Sequence, residues 1–209
     1  MKLFMNSLIL ILVLLSTIIS SAFAEPDKNF TLTVDGKDYD IAIDGAVKVK
    51  SSTGEDLDIA LKRKEFATFS TDLVAFEHRS ELSVATTDIS KHLHQYLATT
   101  ALGTMVLVQQ YDSMSPTTLN ELMMKQLTDD DLRSGGKLEK KNYTQTLVDG
   151  KVMNGLYGHM VTGADDLEII VVSADVGNGG IIAITRIEKE AVAKDQPLVD
   201  RFWKTLKLK

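Results

Sequence analysis

The chain has 209 residues, no cysteine and a formal net charge of −6. That length can bury a sizeable core, and the absent thiols exclude a cysteine nucleophile, a Cys-based zinc site and a lipid-modified N-terminal cysteine. The acidic balance argues against nucleic acid, which needs clustered Lys and Arg to displace counterions; the small basic groups Lys62-Arg63-Lys64, Lys137 to Lys141 and the Lys-rich tail read as solvated strand edges and a helix end.

The N-terminus carries the most specific signal. Lys2 is followed by an unbroken apolar run, Leu8 to Leu15, then Ser20, Ser21 and Ala22-Phe23-Ala24. A basic start, a short apolar centre and an A-x-A site are the plan of a secretory signal peptide cleaved after Ala24. The run is short of the roughly 20 residues of a spanning helix. The expectation is a protein of the periplasm, or a secreted one, with residues 25–209 as one domain and no stable membrane insertion after cleavage.

From Phe30 the chain reads as short strands. Phe30, Leu32 and Val34 alternate with threonines; Tyr39, Ile41 and Ile43 follow Asp35-Gly36; Val47 and Val49 follow Asp44-Gly45; Leu57, Ile59 and Leu61 follow Thr53-Gly54. Period-2 patterning cut by such turns predicts a β-meander over 25–66, an N-terminal extension to the domain. Val74 with Phe76, and Leu82 with Val84, predict two short strands. Lys91 to Tyr96, KHLHQY, reads equally as a strand or a single helical turn. Met105 to Val108 is continuously apolar, as a central strand covered on both faces would be.

Ser115-Pro116 predicts a helix start, a serine cap with proline at the first helical position, and Leu119, Leu122, Met123 and Leu127 supply an apolar face. Ser134-Gly135-Gly136 ends it. Tyr143, Gln145 and Leu147 run into Asp149-Gly150, and a return strand from Val152 to Val161 places Leu156 and Met160 on one face. Leu167 to Val172 and Ile181 to Ile187 are two richly apolar strands joined by Asp175 to Gly180. Leu198, Phe202 and Leu206 predict a last helix with Val199 and Trp203 beside them and Pro197 in its first turn. The organisation predicted is α+β, a single antiparallel β-sheet packed between α-helices, with the extra N-terminal meander.

The stretches GTMVLVQQYDS, TTLNELMMKQLTDDD with SGGKL, VDGKVMNGLYGHMV, and LEIIVVSADVGNGGIIAITRI before PLVDRFWKTLKL together resemble, in order and pattern, the PsbP-like superfamily. That group includes photosystem II extrinsic subunits, a Ran-binding transport factor, periplasmic proteins and chaperones of type VI secretion effectors. The resemblance covers roughly half the chain and implies a sheet between helices and a protein that binds other proteins. It carries no shared catalytic residues, and a fold alone does not assign a function.

Candidate chemistry is sparse. On a strand, His92 and His94 would share a face about 7 Å apart and could chelate Zn²⁺ or Cu²⁺ if Asp88, Asp112 or His159 supplied a third ligand; on a helix they would point apart. His78 and His159 could serve a serine, but no G-x-S-x-G elbow is present. Asp129 to Asp131 lacks the alternating spacing of a calcium loop, and Gly177 to Gly180 joins strands instead of opening a helix over a phosphate. Met123, Met124, Met153 and Met160 read as core filler or as the lining of an adaptable groove. The leading expectation is therefore a non-enzymatic exported protein, without a cofactor, that binds another protein as accessory factor, chaperone or inhibitor; an immunity-type protein neutralising an exported toxin is one version. The alternatives are a module for a small apolar ligand and a metal-dependent hydrolase using His92 and His94.

Overall fold

The computed structural model describes residues 28–163 and 165–209, so the expected leader, residues 1–24, lies outside the described residues. The chain divides into two compact units, the first ending at Arg63 and the second spanning Lys64–Lys209.

In the first unit, β1 (Phe30–Val34) pairs with β2 (Lys37–Ile41), and β3 (Ala46–Lys50) pairs with β4 (Asp56–Ala60). Asp35 and Gly36 both take positive φ, 49° and 76°, the requirement of the two-residue turn that matches strand twist. At Asp44-Gly45 only Asp44 has positive φ among the two, and the Gly45 N–H instead bonds the Ala42 carbonyl at 3.1 Å. The chain therefore turns without pairing β2 to β3, and the expected meander is corrected to two separate two-stranded sheets.

The second unit is built on a seven-stranded antiparallel sheet ordered β10-β11-β12-β13-β9-β8-β7. Its strands are β7 (Ala85–Ser90), β8 (Leu93–Thr99), β9 (Met105–Tyr111), β10 (Lys137–Thr146), β11 (Val152–Val161), β12 (Asp166–Val176) and β13 (Gly179–Glu188). A three-stranded sheet ordered β14-β6-β5 joins β5 (Phe66–Ser70), β6 (Val74–Arg79) and β14 (Lys207–Leu208). The helices are α1 (Asn120–Arg133) and α2 (Val192–Thr205).

The central strands are apolar on both faces because both are covered. Val106, Val108, Val172, Ile181 and Ala183 belong to one buried cluster; Leu107, Leu167, Ile169, Val171, Ile182 and Ile184 belong to the other. Alternate residues of one strand thus feed opposite cores, each fully buried large side chain stabilising by about 1.5–3 kcal/mol. Helix α1 closes the second cluster through Met124, which is 0% exposed. It sits down on Gly158 of β11, where a side-chain carbon would lie 2.9 Å from Met124 Sδ. Helix α2 and the small sheet close the first cluster. Phe202 packs edge-on to Phe76 at 5.1 Å and to Trp203 at 4.8 Å, while Phe69 meets Tyr96 at 4.8 Å. The Arg201 Nε–H donates to Glu77 at 2.6 Å and pins α2 to β6.

Several expectations are corrected. The chain is mostly β, with fourteen strands in four sheets and two helices among the described residues, and it is not an α+β fold of one sheet between helices. The small sheet shares with α2 the face that a helix alone was expected to cover. Leu82 and Val84 lie in the turn before β7 and pack on the first cluster, while the polar run Ala85–Ser90 forms the strand. Helix α1 begins at Asn120, not at Ser115, and Leu119 occupies its cap without a side-chain hydrogen bond. Of the expected apolar face, Leu119, Met123 and Leu127 pack half-buried on the second cluster beside the buried Met124 and Thr128, and only Leu122 is exposed. Pro197 lies inside α2, which starts at Val192; Pro197 and Ala193 are both exposed, so the carbonyl left without a proline N–H faces water.

Candidate functional site

Two arrangements in the second unit carry polar or apolar groups beyond what packing requires. The first centres on His94. The segment KHLHQY splits, with Lys91 and His92 in the turn after β7 and Leu93 opening β8. Cross-strand register then places Asp88 of β7, His94 of β8 and Gln110 of β9 in one row across three strands, so the three side chains share a face. Asp112, two residues beyond Gln110, reaches the same imidazole.

His94 Nδ1 lies 2.6 Å from Asp88 Oδ1 and Nε2 lies 3.0 Å from Asp112 Oδ2. The hydrogen bonds from Asp88 and then Asp112 raise the His94 pKa above its ordinary 6.5, against a smaller opposing effect of burial. Asp112 is held below its ordinary value, first by the hydrogen bond from Gln110 and also by His94. Gln110 is buried and extends the network. Its Nε2 donates to Asp112 at 3.0 Å and to Asp72 at 3.1 Å, and its Oε1 accepts from Thr71 at 2.9 Å and from Tyr96 at 3.4 Å. Thr71 and Asp72 form the β5–β6 turn, so the network joins the small sheet to the large one. Burial, then the charges of Asp72, Asp112 and Asp88, raise the Tyr96 pKa.

An imidazolium donating from both nitrogens has no lone pair for a metal. Two of the three third ligands considered from the sequence, Asp88 and Asp112, do meet His94, as ion-pair partners. His159, on β11, engages Asp166 at 2.7 Å, and Asp166 also accepts from Lys189 at 2.9 Å. His92 stays in the turn, its N–H on Ser90 Oγ at 3.3 Å. Among the described residues, no group of three His, Asp or Glu side chains is placed to hold a metal ion. His78 Nδ1 pairs with the Arg79 carbonyl at 2.9 Å. Asp129 and Asp130 pair with Arg133 at the end of α1, and Gly177 makes the β12–β13 turn at φ 58°.

The second arrangement is apolar. Helix α1 crosses β10 and β11 so that Leu122, 48% exposed, and Leu132, 40% exposed, stand beside Leu138 of β10 and the buried Met124. Together they line a groove of about 460 Å³. Its rim is charged: Lys140 of β10 bonds Glu121 of α1 at 2.6 Å. Strand β10 is an edge of the large sheet, so the backbone on its outer side has no ladder partner among the described residues. The helix ends in a Schellman motif beside this groove, with the Gly135 N–H on the Leu132 carbonyl at 3.1 Å and the Gly136 N–H on the Asp131 carbonyl at 2.9 Å.

The sequence singles out His94, Asp88 and Asp112; it does not single out Gln110, Tyr96, Thr71 and Asp72, and the one signal for them is Gln109-Gln110, polar residues in an otherwise apolar central strand. The groove is lined by Leu122, the one member of the predicted apolar face left exposed, and by Leu132, which that face did not include. No protein-family model and no curated protein matches the chain.

Proposed function

We propose that this chain is a non-enzymatic binding protein that holds a partner protein in the groove between α1 and β10. The observation carrying this reading is the pair Leu122 and Leu132, large apolar side chains left half in water on either side of the buried Met124 and Thr128. Exposed apolar surface rimmed by charge marks association surfaces, and an open edge strand beside it offers backbone hydrogen bonds to an extended segment. Export through residues 1–24, with cleavage after Ala24, belongs to this proposal. No helix among the described residues is long and apolar enough to cross a membrane.

The test is cross-linking from the groove. A photoreactive residue at position 122 is expected to trap a defined protein in the producing cell, whereas one at exposed Val148, outside the groove, is not. Leu132→Asp should abolish the adduct. An adduct unchanged by Leu132→Asp, or formed equally from position 148, overturns the proposal.

A further inference from the structure

The other face of the large sheet holds a different hollow, of about 310 Å³, between α2 and strands β10, β12 and β13. Its floor is built by neighbouring strands. Ile170 pairs with Thr185 and Glu168 with Ile187 across β12 and β13, so these side chains share one face. Helix α2 supplies one wall through Gln196, Asp200 and Trp203, residues spaced to lie on one side of a helix. Tyr143 of β10 supplies another. One floor residue is out of place. Ile181, Ala183 and Ile187, which precede and follow it on the same face of β13, are buried and apolar. Thr185 is 2% exposed, yet its hydroxyl has no hydrogen-bond partner among the described residues. Buried hydroxyls are ordinarily bonded to something, and this one lines the hollow.

The groups around that hydroxyl offer both donors and acceptors. The Tyr143 hydroxyl donates to Gln145 Oε1 at 3.1 Å, and Gln196 Nε2 donates to Asp200 Oδ1 at 2.7 Å. The Tyr157 hydroxyl engages the Glu168 carboxylate. What is left is the second oxygen of Asp200 and the remaining lone pairs of Glu168 as acceptors, the second amide hydrogen of Gln196 as a donor, and the Thr185 hydroxyl as either. A cation would leave the donors unmet. An anion would face two carboxylates, with no Lys, Arg or His lining the hollow. The free groups stand on the floor and on the α2 wall, so they surround an occupant, whereas a flat heterocycle presents its polar atoms along its edges in one plane. The rings of Tyr143 and Trp203 add faces of negative potential, against which weakly positive C–H groups pack. A pyranose has this chemistry, with hydroxyls that each donate and accept around its rim and C–H groups on its faces. The volume sits at the lower end of small-molecule sites, as one such ring requires.

We propose that this hollow binds a sugar, with one pyranose ring against Tyr143 and Trp203 and its hydroxyls on Thr185, Glu168, Gln196 and Asp200. The ring is a free sugar or the terminal unit of a glycan, and both present the same rim. This site is separate from the α1–β10 groove, so each proposal stands or falls alone.

Trp203 is the only tryptophan in the chain, which makes its fluorescence a direct reporter of the hollow. The full protein is titrated with the methyl pyranosides of glucose, galactose, mannose and N-acetylglucosamine. At least one should give a saturable change. Cyclohexylmethanol, a ring of the same size with a single hydroxyl, should give none. The Trp203 indole proton, on a nitrogen buried without a partner, gives a second signal by NMR, so silent fluorescence does not hide binding. Thr185→Val should weaken binding about tenfold, because a ligand hydroxyl loses its partner. It should leave the thermal midpoint unchanged or raise it, because the free protein loses only an unpaired hydroxyl. Asp200→Asn, at an exposed position, should also weaken binding about tenfold, and it carries the test if Thr185→Val does not fold. A tetrasaccharide that binds more tightly than the methyl pyranoside of the same sugar would place the ring at the end of a glycan; equal or weaker binding would place it on a free sugar. Equal response to cyclohexylmethanol, no saturable change in either signal with any of the pyranosides, or full affinity in both variants overturns the proposal.

Discussion

The two faces of the seven-stranded sheet solve the same covering problem differently. On one, α1 alone closes a core of leucine, isoleucine and methionine, and its outer side leaves Leu122 and Leu132 in water. On the other, α2 and a three-stranded sheet enclose a chain of rings from Tyr96 through Phe69, Phe76 and Phe202 to Trp203. Rings with fixed mutual geometry are hard to repack after a truncation, whereas thioethers adapt. The aromatic face should therefore be the brittle one. Phe202→Ala, at 0% exposure, should cost about 3–5 kcal/mol, read as a fall in the urea midpoint at unchanged slope.

The methionine face sharpens the contrast through coupling. Met124→Ala should cost about 2–4 kcal/mol, toward the lower part of the range for such truncations. Gly158→Ala alone adds a methyl where only 2.9 Å separates it from Met124 Sδ and 3.2 Å from a Leu138 methyl, so it should cost about 1–3 kcal/mol. Combined, the new methyl occupies part of the space Met124 vacates, and the double variant should lose less than the sum of the two. Strict additivity in a double-mutant cycle would show that α1 does not rest on β11 as described.

The same contrast explains how much could be read from sequence. The central strands were legible because covering on both faces leaves unbroken apolar runs, as in Met105 to Val108, and the β12–β13 hairpin because both its strands and its glycine turn announce themselves. Strand β7 was not, because an edge strand with six exposed residues carries no apolar pattern. Helix α1 starts later than a serine and a proline suggest, because here they only turn the chain; its face was largely legible, since Leu119, Met123 and Leu127 pack on the core and only Leu122 gives way to Met124 and Thr128. The His94 row was half legible. Two histidines near a strand could be seen, but the pairing of Asp88, His94 and Gln110 depends on strand register, which no local pattern states.

That row ties the two faces' strands to pH. Protonated His94 bridges Asp88 of β7 and Asp112 after β9. Its pKa is raised on folding, so its contribution is fully present below the unfolded value near 6.5 and is lost as pH rises through the higher folded value. Asp112 works with the opposite sign: its depressed pKa contributes above the ordinary carboxylate range and is lost as pH falls through the folded value. Unfolding midpoints measured from about pH 5 to about pH 9 should decline on the alkaline side in the native sequence more than in His94→Asn. Parallel curves for the two proteins would show that the imidazole is not held as an ion pair.

The smallest effect expected is also the one that separates binding from stability. Leu132→Asp leaves the backbone carbonyl of the Schellman motif in place and changes a side chain already 40% exposed, but it adds negative charge at a helix end beside Asp129 to Asp131, at a cost of about 0.3–1 kcal/mol. Lys125 lines the same groove, so the new carboxylate has a cation at hand. Thermal unfolding of Leu132→Asp should therefore fall only slightly below that of the native protein, while Met124→Ala, one layer deeper in the same groove, lowers the midpoint clearly. Should Leu132→Asp instead destabilise as Met124→Ala does, its side chain is part of the core of this face, and α1 buries more of itself than the exposed leucines indicate. If stability is unchanged while the cross-linked adduct disappears, the leucine contributes to association and not to folding, which is the distinction the two faces of this sheet turn on.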